Sequence, residues 1–336
     1  NNSSKSIDLT GMSLSIDEIE PGQWTFPEGR KLSAKGRLLV WCNGSRAPEL
    51  GPSNYLNTGY SLGGTHGALY LFNASEQIVD SLRYGFQVPD LSIGRNNSGE
   101  WTLLSSPTPG QDNKTPSILA TPNNLVINEW MANGRGDDWI ELHNPQAMPV
   151  KMDGMYLTDD LSSIGITQFE IPQLNYIAAR GFVKWVADAN LAQGGDHVNF
   201  SLASLGEPIA LYSRTKSLVD KHEISKTTLG ESEGRLPDGA LQITKFPDTP
   251  TPGKSNYLPV RNVVINEVLA HTDPPFEDAI ELRNLSTEPV NIGNWWISNS
   301  ESNRNKFQIP ANTILSARGV TAFYDCLLYT SPSPRD

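Results

Sequence analysis

Six acids recur in one local setting. Glu129, Asp138 and Glu141 lie within thirteen residues of each other, and Glu267, Asp278 and Glu281 repeat the pattern 138 to 140 residues later. Three carboxylates near one sheet edge have the chemistry to hold a hard cation such as Ca²⁺ through oxygen ligands. The competing reading is structural: partly buried carboxylates must accept hydrogen bonds, here from turn amides or from Arg235. No D-x-[DN]-x-[DN]-G loop accompanies the acids, so the structural reading is preferred and no metal or cofactor is expected.

Other candidates are weaker. Gly59-Tyr60-Ser61-Leu62-Gly63 spells the nucleophile elbow of hydrolases, but that device needs a strand, a sharp turn and a helix. Its counterpart Asn199-Phe200-Ser201-Leu202-Ala203 lacks both glycines. Arg135-Gly136-Asp137 matches an adhesion tripeptide by letter and sits in an expected loop between strands. His66, His143, His197, His222 and His271 are dispersed without H-E-x-x-H or Cys/His spacing, and His197 with Asp188 and Asp196 is only a faint metal candidate. No catalytic residue is therefore expected. Trp41 and Trp185 fall in apolar strand runs where aromatics fill a core, whereas adjacent Trp295 and Trp296 must face opposite ways on a strand.

The acids sit in stretches that must position them alike. Leu125 to Leu157, with Ile127-Asn128-Glu129 and Ile140-Glu141-Leu142 followed by Asn144, returns from Val263 to Ile297 with Ile265-Asn266-Glu267 and Ile280-Glu281-Leu282 followed by Asn284. Asn1 onward reads like the continuation after Asn144, with Ile7, Leu9, Gly11 and Leu14 in the places of Val150, Met152, Gly154 and Leu157. Three repeats spaced by 143 and 140 residues are long enough for separate cores. Independent beads are expected. Ala34-Lys35-Gly36, Ala179-Arg180-Gly181 and Ala317-Arg318-Gly319 mark turns into strands, and Val79-Asp80 and Gly94-Arg95 are answered by Val219-Asp220 and Gly234-Arg235.

Short apolar runs such as Arg37 to Trp41, Ala68 to Phe72, Ile78 to Leu82 and Trp101 to Leu104, broken by glycine and proline, predict strands and little helix. Seven to nine strands per complete repeat point to an all-β chain of tandem β-sandwiches, with a closed barrel as the alternative for each repeat. The combination of I-N-E, D-x-I-E-L-x-N, the G-R-x-P-D-G of Gly234 to Gly239 and the closing T-P-G resembles the lamin tail domain (LTD) of bacterial extracellular proteins. That resemblance implies an immunoglobulin-like fold, a non-catalytic structural or interaction module of a larger protein, and an extracellular or cell-surface location.

On this reading, residues 1–113 form a lamin-tail-like domain lacking its first strands and residues 114–124 a linker. Residues 125–256 form the complete domain, and residues 257–325 a third that is truncated at its C-terminal end. Residues 326–336, CLLYTSPSPRD, answer nothing in the second repeat and read like translated sequencing-adaptor read-through, outside the fold. With its later strands missing, the third repeat is expected to leave Ile265, Ile280, Leu282 and Ile297 uncovered.

A net charge of −11 without Lys/Arg runs argues against nucleic acid as a partner. No apolar run approaches the roughly 20 residues of a membrane span. Two cysteines, Cys42 and Cys326, propose no disulfide framework. The expected partner is a protein or a cell-surface polymer. The alternative is a carbohydrate-binding module attached to a secreted enzyme, marked by aromatics lining one exposed face; a hydrolase would need a convergent nucleophile, base and acid.

Overall fold

Glycine and proline punctuate the chain too often for long helices, and the computed structural model is built of strands. It describes residues 1–274, 276–300 and 305–324; the tail from Cys326 lies outside the described residues. Two 3-10 turns, Pro122–Asn124 and Gly165–Thr167, accompany the strands. The chain divides into two compact units, Asn1–Tyr257 and Leu258–Asp336.

The first repeat supplies β1 (Ile7–Asp8), β2 (Ser13–Ser15), β3 (Trp24–Thr25), β4 (Lys31–Leu32), β5 (Val40–Trp41), β6 (Leu56–Asn57), β7 (Gly67–Phe72), β8 (Ile78–Tyr84), β9 (Ile93–Arg95) and β10 (Trp101–Leu103). Its main sheet runs β3-β2-β7-β8, while β9 pairs with β10 alone and β5 with β6 in parallel. Trp41 corrects the sequence reading. It is 44% exposed and stacks on Tyr55 rather than filling a core.

The second repeat supplies β11 (Val126–Met131), β12 (Trp139–His143), β13 (Val150–Lys151), β14 (Tyr156–Thr158), β15 (Phe169–Glu170), β16 (Tyr176–Ile177), β17 (Phe182–Val186), β18 (Pro208–Tyr212), β19 (Leu218–Glu223), β20 (Ser232–Arg235) and β21 (Ile243–Phe246). A five-stranded sheet, β17-β12-β11-β20-β21, faces a four-stranded one, β15-β14-β18-β19. Between them lie Ile127, Ile140, Leu142, Leu157, Trp185 and Leu211, all fully buried. Aliphatic side chains in such positions contribute about 1.5 to 3 kcal/mol each. This is the expected all-β, immunoglobulin-like sandwich, with Trp185 at its centre, edge-on to Phe86 and Phe169.

Phe86 belongs to the first repeat, so these two repeats are not independent beads. The Phe86 amide donates to Asn175 Oδ1 at 2.9 Å, Tyr176 N donates to the Phe86 carbonyl at 2.9 Å, and Gly85 N reaches the Leu174 carbonyl at 3.3 Å. A Cβ on Gly85 would stand 2.0 Å from Asn175 Oδ1, so only glycine fits there. Leu174 and Tyr176 complete a cluster with Tyr84, Val88 and Leu103. The segment 114–124 links the repeats and is anchored on the way, with Ser117 N donating to Leu103 O and Ala120 N to Pro149 O, both at 2.8 Å.

The C-terminal unit supplies β22 (Val263–Leu269), β23 (Ala279–Asn284), β24 (Val290–Asn291), β25 (Trp296–Ile297), β26 (Phe307–Gln308), β27 (Ile314–Leu315) and β28 (Val320–Tyr324). Its order β22-β23-β28 repeats β11-β12-β17, but among the described residues nothing answers β18 to β21. Ile265 is accordingly 66% exposed and Val268 60%. Leu282 departs from expectation. It is buried with Ile292, Ile309, Leu315 and Phe323 in a small core, against which Ile280 and Ile297 pack half-covered.

One local design recurs in all three repeats. The amides of Asn1, Asn144 and Asn284 each donate through Nδ2 to the carbonyl four residues on: Lys5 at 2.9 Å, Met148 at 2.9 Å and Glu288 at 2.7 Å. Each also donates to a carbonyl just before the Ala-x-Gly turn: Ser33, Ala178 and Ser316. The middle residues of those turns, Lys35, Arg180 and Arg318, all adopt left-handed backbone, φ 53, 55 and 57°. The recurring asparagine thus ties the end of one strand to the turn that launches another.

Candidate functional site

The repeated acids of the second repeat stand on β11 and β12 beside a β-bulge. Ile127 pairs with Leu142 and Glu129 with Glu141, so Asn128 is the extra residue. A bulge re-aims the side chains around it, and here Asn128 Nδ2 bridges Glu141 Oε1 at 3.0 Å and Asp238 Oδ1 at 2.9 Å. The same shift occurs between Ile265 and Glu267 in the C-terminal unit. The I-N-E repeat is therefore a bulge signature.

A strap after β21 closes over the acids. Thr251 donates to Glu129 Oε2 through its hydroxyl at 2.9 Å and to Oε1 through its amide at 3.1 Å, while Ser232 Oγ adds a bond to Oε1 at 2.5 Å. Gly253 N donates to Glu141 Oε2 at 2.6 Å. Asn256 fastens the end, with Nδ2 on Arg235 O at 2.9 Å and its amide on Asp238 Oδ1 at 3.0 Å. Thr251-Pro252-Gly253 with Asn256 is thus a clasp. The first repeat carries the same T-P-G-x-x-N at 108–113, and its Asn113 Nδ2 likewise donates to Arg95 O at 2.8 Å.

Both glutamates are fully buried. Burial pushes Glu141 up to about 8, against the bonds from Asn128 and Gly253 and with added repulsion from Glu129 and Asp238. Glu129 is also raised by burial, opposed by Ser232 and Thr251. Desolvation disfavours the charged form, so near neutral pH Glu141 holds its proton. A sealed, protonated carboxyl with every oxygen engaged cannot reach a substrate as acid or base. It is a structural pin.

Several sequence expectations change here. Turn amides do hold Glu129 and Glu141, but Arg235 does not pair with them. Its Nη2 meets Asp220 Oδ2 at 2.8 Å, and its Nε donates to the Ile127 carbonyl at 2.8 Å. Asp138 stands apart, its Oδ1 accepting from Gly134 N at 3.2 Å across the loop that holds Arg135-Gly136-Asp137; burial raises it. The third acid near the pair is Asp238, from G-R-x-P-D-G. The readable signal for it was that motif, and for the clasp the twofold T-P-G-x-x-N.

In the C-terminal unit Glu267 is exposed, and Glu281 accepts from Asn266 Nδ2. Asp278 accepts from Thr272 N at 3.1 Å and Thr272 Oγ1 at 2.8 Å, which lowers its pKa. Among the described residues no group of three His, Cys, Asp or Glu side chains is arranged to hold a metal. His197 Nδ1 meets Asp188 Oδ2 at 3.0 Å, while Asp196 faces His66 Nδ1 at 2.8 Å. Ser61 lies in a loop and its Oγ accepts from Gly44 N at 3.1 Å; no helix follows it.

The Arg–Asp pair shows how context sets burial. Arg235 and Asp220 side chains are 3% and 16% exposed beneath β11; their first-repeat counterparts, Arg95 and Asp80, also pair, at 3.1 Å, but are 44% and 56% exposed. No helix among the described residues is long and apolar enough to cross a membrane.

Fold and site together define a chain of immunoglobulin-like β domains whose recurring polar residues serve architecture. Residues 259–326, which contain all seven described strands of the C-terminal unit, match the family model of the Lamin Tail Domain. No curated protein and no solved structure matches the chain.

Proposed function

We propose that the whole chain is a tandem array of lamin-tail-like domains acting as a non-catalytic structural and interaction module of a larger secreted or cell-surface bacterial protein. The observation that carries this reading is the shared asparagine network at Asn1, Asn144 and Asn284, because it extends to the first two repeats the architecture of the unit that matches the family. The conspicuous acids support it too: they hold a strap, not a substrate. The array presents rigid surfaces to a protein or surface polymer, with no cofactor or metal.

The test is a turnover screen of the purified 336-residue chain against ester, glycoside and peptide substrates. No hydrolysis above buffer is expected. Turnover that co-purifies with the chain and disappears in Ser61→Ala, the one elbow-like serine, overturns the non-catalytic reading.

A further inference from the structure

Arg135-Gly136-Asp137 takes no part in the architecture that absorbs the other recurring polar residues. All three residues are exposed in the loop joining β11 to β12, and the chain bends at Arg135 and Gly136. Neither the Arg135 guanidinium nor the Asp137 carboxylate has a hydrogen bond or ion pair among the described residues. The letters alone carry little, because short motifs arise by chance. The structure adds a fixed base, an open backbone and an apolar surround.

The base is pinned on both sides. β11 and β12 are interior strands of the five-stranded sheet, and Met131 and Trp139, where they meet the loop, are buried. On the β12 side Asp138 Oδ1 accepts from Gly134 N at 3.2 Å, and the Asp138 carbonyl accepts from Ala187 N at 2.7 Å. On the β11 side the Asn133 carbonyl accepts from Gly230 N at 2.8 Å. The tripeptide is thus held between fixed residues while its two charges stay free, so little chain entropy remains to be lost on binding. Asp138, the neighbouring acid, is tethered inward and does not compete with Asp137.

No atom lies within 4 Å of where a Gly136 Cβ would stand, so a partner surface can approach the backbone closely there. The loops tied to this base carry apolar tips. Asn133 Nδ2 donates to Thr227 O at 3.4 Å and Thr227 N to Ser204 O at 3.1 Å, and on those loops Leu229 and Leu205 are 62% and 79% exposed. Contact surfaces combine charged anchors with apolar area in this way.

Opposite charges one residue apart cancel, so the loop cannot select a simple ion. A single carboxylate also supplies at most two of the roughly six to eight oxygens that Ca²⁺ takes. Any cation held by Asp137 must therefore arrive with its other ligands already in place. The guanidinium fork of Arg135 in turn matches a carboxylate. We infer that this loop docks a cell-surface adhesion receptor whose pocket holds a divalent cation for the Asp137 carboxylate and an acidic side chain for the Arg135 guanidinium. The corresponding loop of the C-terminal unit reads His271-Thr272-Asp273-Pro274, without the tripeptide, which assigns the site to the second repeat. The inference rests on the interaction role proposed above and names its partner class.

Surface plasmon resonance with the immobilised 336-residue chain tests it, the probe being the purified ectodomain of an integrin that binds Arg-Gly-Asp peptides, in millimolar Mn²⁺. Saturable binding is expected, abolished by chelator and displaced by a free Arg-Gly-Asp peptide. It should weaken ten-fold or more in Asp137→Glu, which keeps the charge but moves it by one methylene, and three-fold or more in Arg135→Lys. Both variants should melt with the parent chain, since both side chains are exposed and unbonded, so lost binding is separated from lost folding. No binding in Mn²⁺, binding that survives chelator, or binding indifferent to Asp137→Glu overturns the inference. Those outcomes leave the non-catalytic reading standing on its own turnover test.

Discussion

The second repeat and the C-terminal unit begin with nearly the same residues and end in different states. In both, an I-N-E strand with a bulge pairs with a D-x-I-E-L strand, and both launch the same asparagine-tied turn. Yet Ile127, Glu129 and Glu141 are fully buried, whereas Ile265 is 66% exposed and Glu267 is open. The difference lies in what comes later in the chain. Strands β18 to β21 and the Thr251 to Asn256 clasp cover the first face, and no described residues do so for the second. Sequence motif sets local geometry; burial is decided by partners far along the chain, from β18 to the clasp.

The sharpest way to break the comparison is matched truncation. Ile127→Ala is expected to cost about 2 to 5 kcal/mol and Trp185→Ala about 3 to 5, as fully buried side chains do. Ile265→Ala is expected to cost under about 0.5 kcal/mol, as an exposed position does. Calorimetry of the full chain checks this; equal penalties at Ile127 and Ile265 would contradict the burial difference.

The joint between the first two repeats comes next. Gly85→Ala places a methyl on the Asn175 amide and is expected to cost about 1 to 3 kcal/mol through overpacking. It should also split the melting of Asn1–Tyr257 into two steps. An unchanged single transition would show that the repeats do not cooperate through this contact.

The clasp adds a pH signature that the C-terminal unit should lack. Glu141 has a folded pKa near 8, above its ordinary value of 4.5, so the folded state binds the proton more tightly. Its contribution favours folding most below the unfolded pKa, falls as pH rises from about 4.5 to 8, and is lost above that window. A loss on the order of 2 to 4 kcal/mol between pH 5 and 9 is expected, and Glu141→Gln should flatten the slope. Urea unfolding across that range measures it, and stability rising with pH over the window in a Glu141-dependent way would contradict the assignment. The smallest effect is expected from Ca²⁺. A site saturated a hundredfold above its Kd adds about 2.7 kcal/mol, but Glu129 and Glu141 spend their oxygens on the clasp. A melting temperature that rises in millimolar Ca²⁺, returns with chelator and ignores it in Glu141→Gln would show a cation site.

Much of this was readable from residues. The recurrence of I-N-E, Ala-x-Gly, Val-Asp and Gly-Arg located strands and turns, because each motif's geometry is short-range, but it does not show that Arg235 pairs with Asp220 rather than with the glutamates. What escaped was contact between distant segments: Asp238 in place of Asp138 beside the glutamates, the clasp, and the Gly85–Asn175 joint that turns two beads into one body. Trp41 misled for the same reason. Its apolar strand suggested a core, but β5 pairs with β6 in parallel and leaves the indole on the outside.

Amide hydrogen exchange on the full chain tests the central claim most directly, since protection reports local opening free energy. The expected result is slow exchange across Val126–Met131 and Trp139–His143 and markedly faster exchange across Val263–Leu269, despite the shared motif and bulge. Equal, strong protection of both I-N-E strands would contradict the account, showing that the C-terminal strand is held without the later strands and clasp.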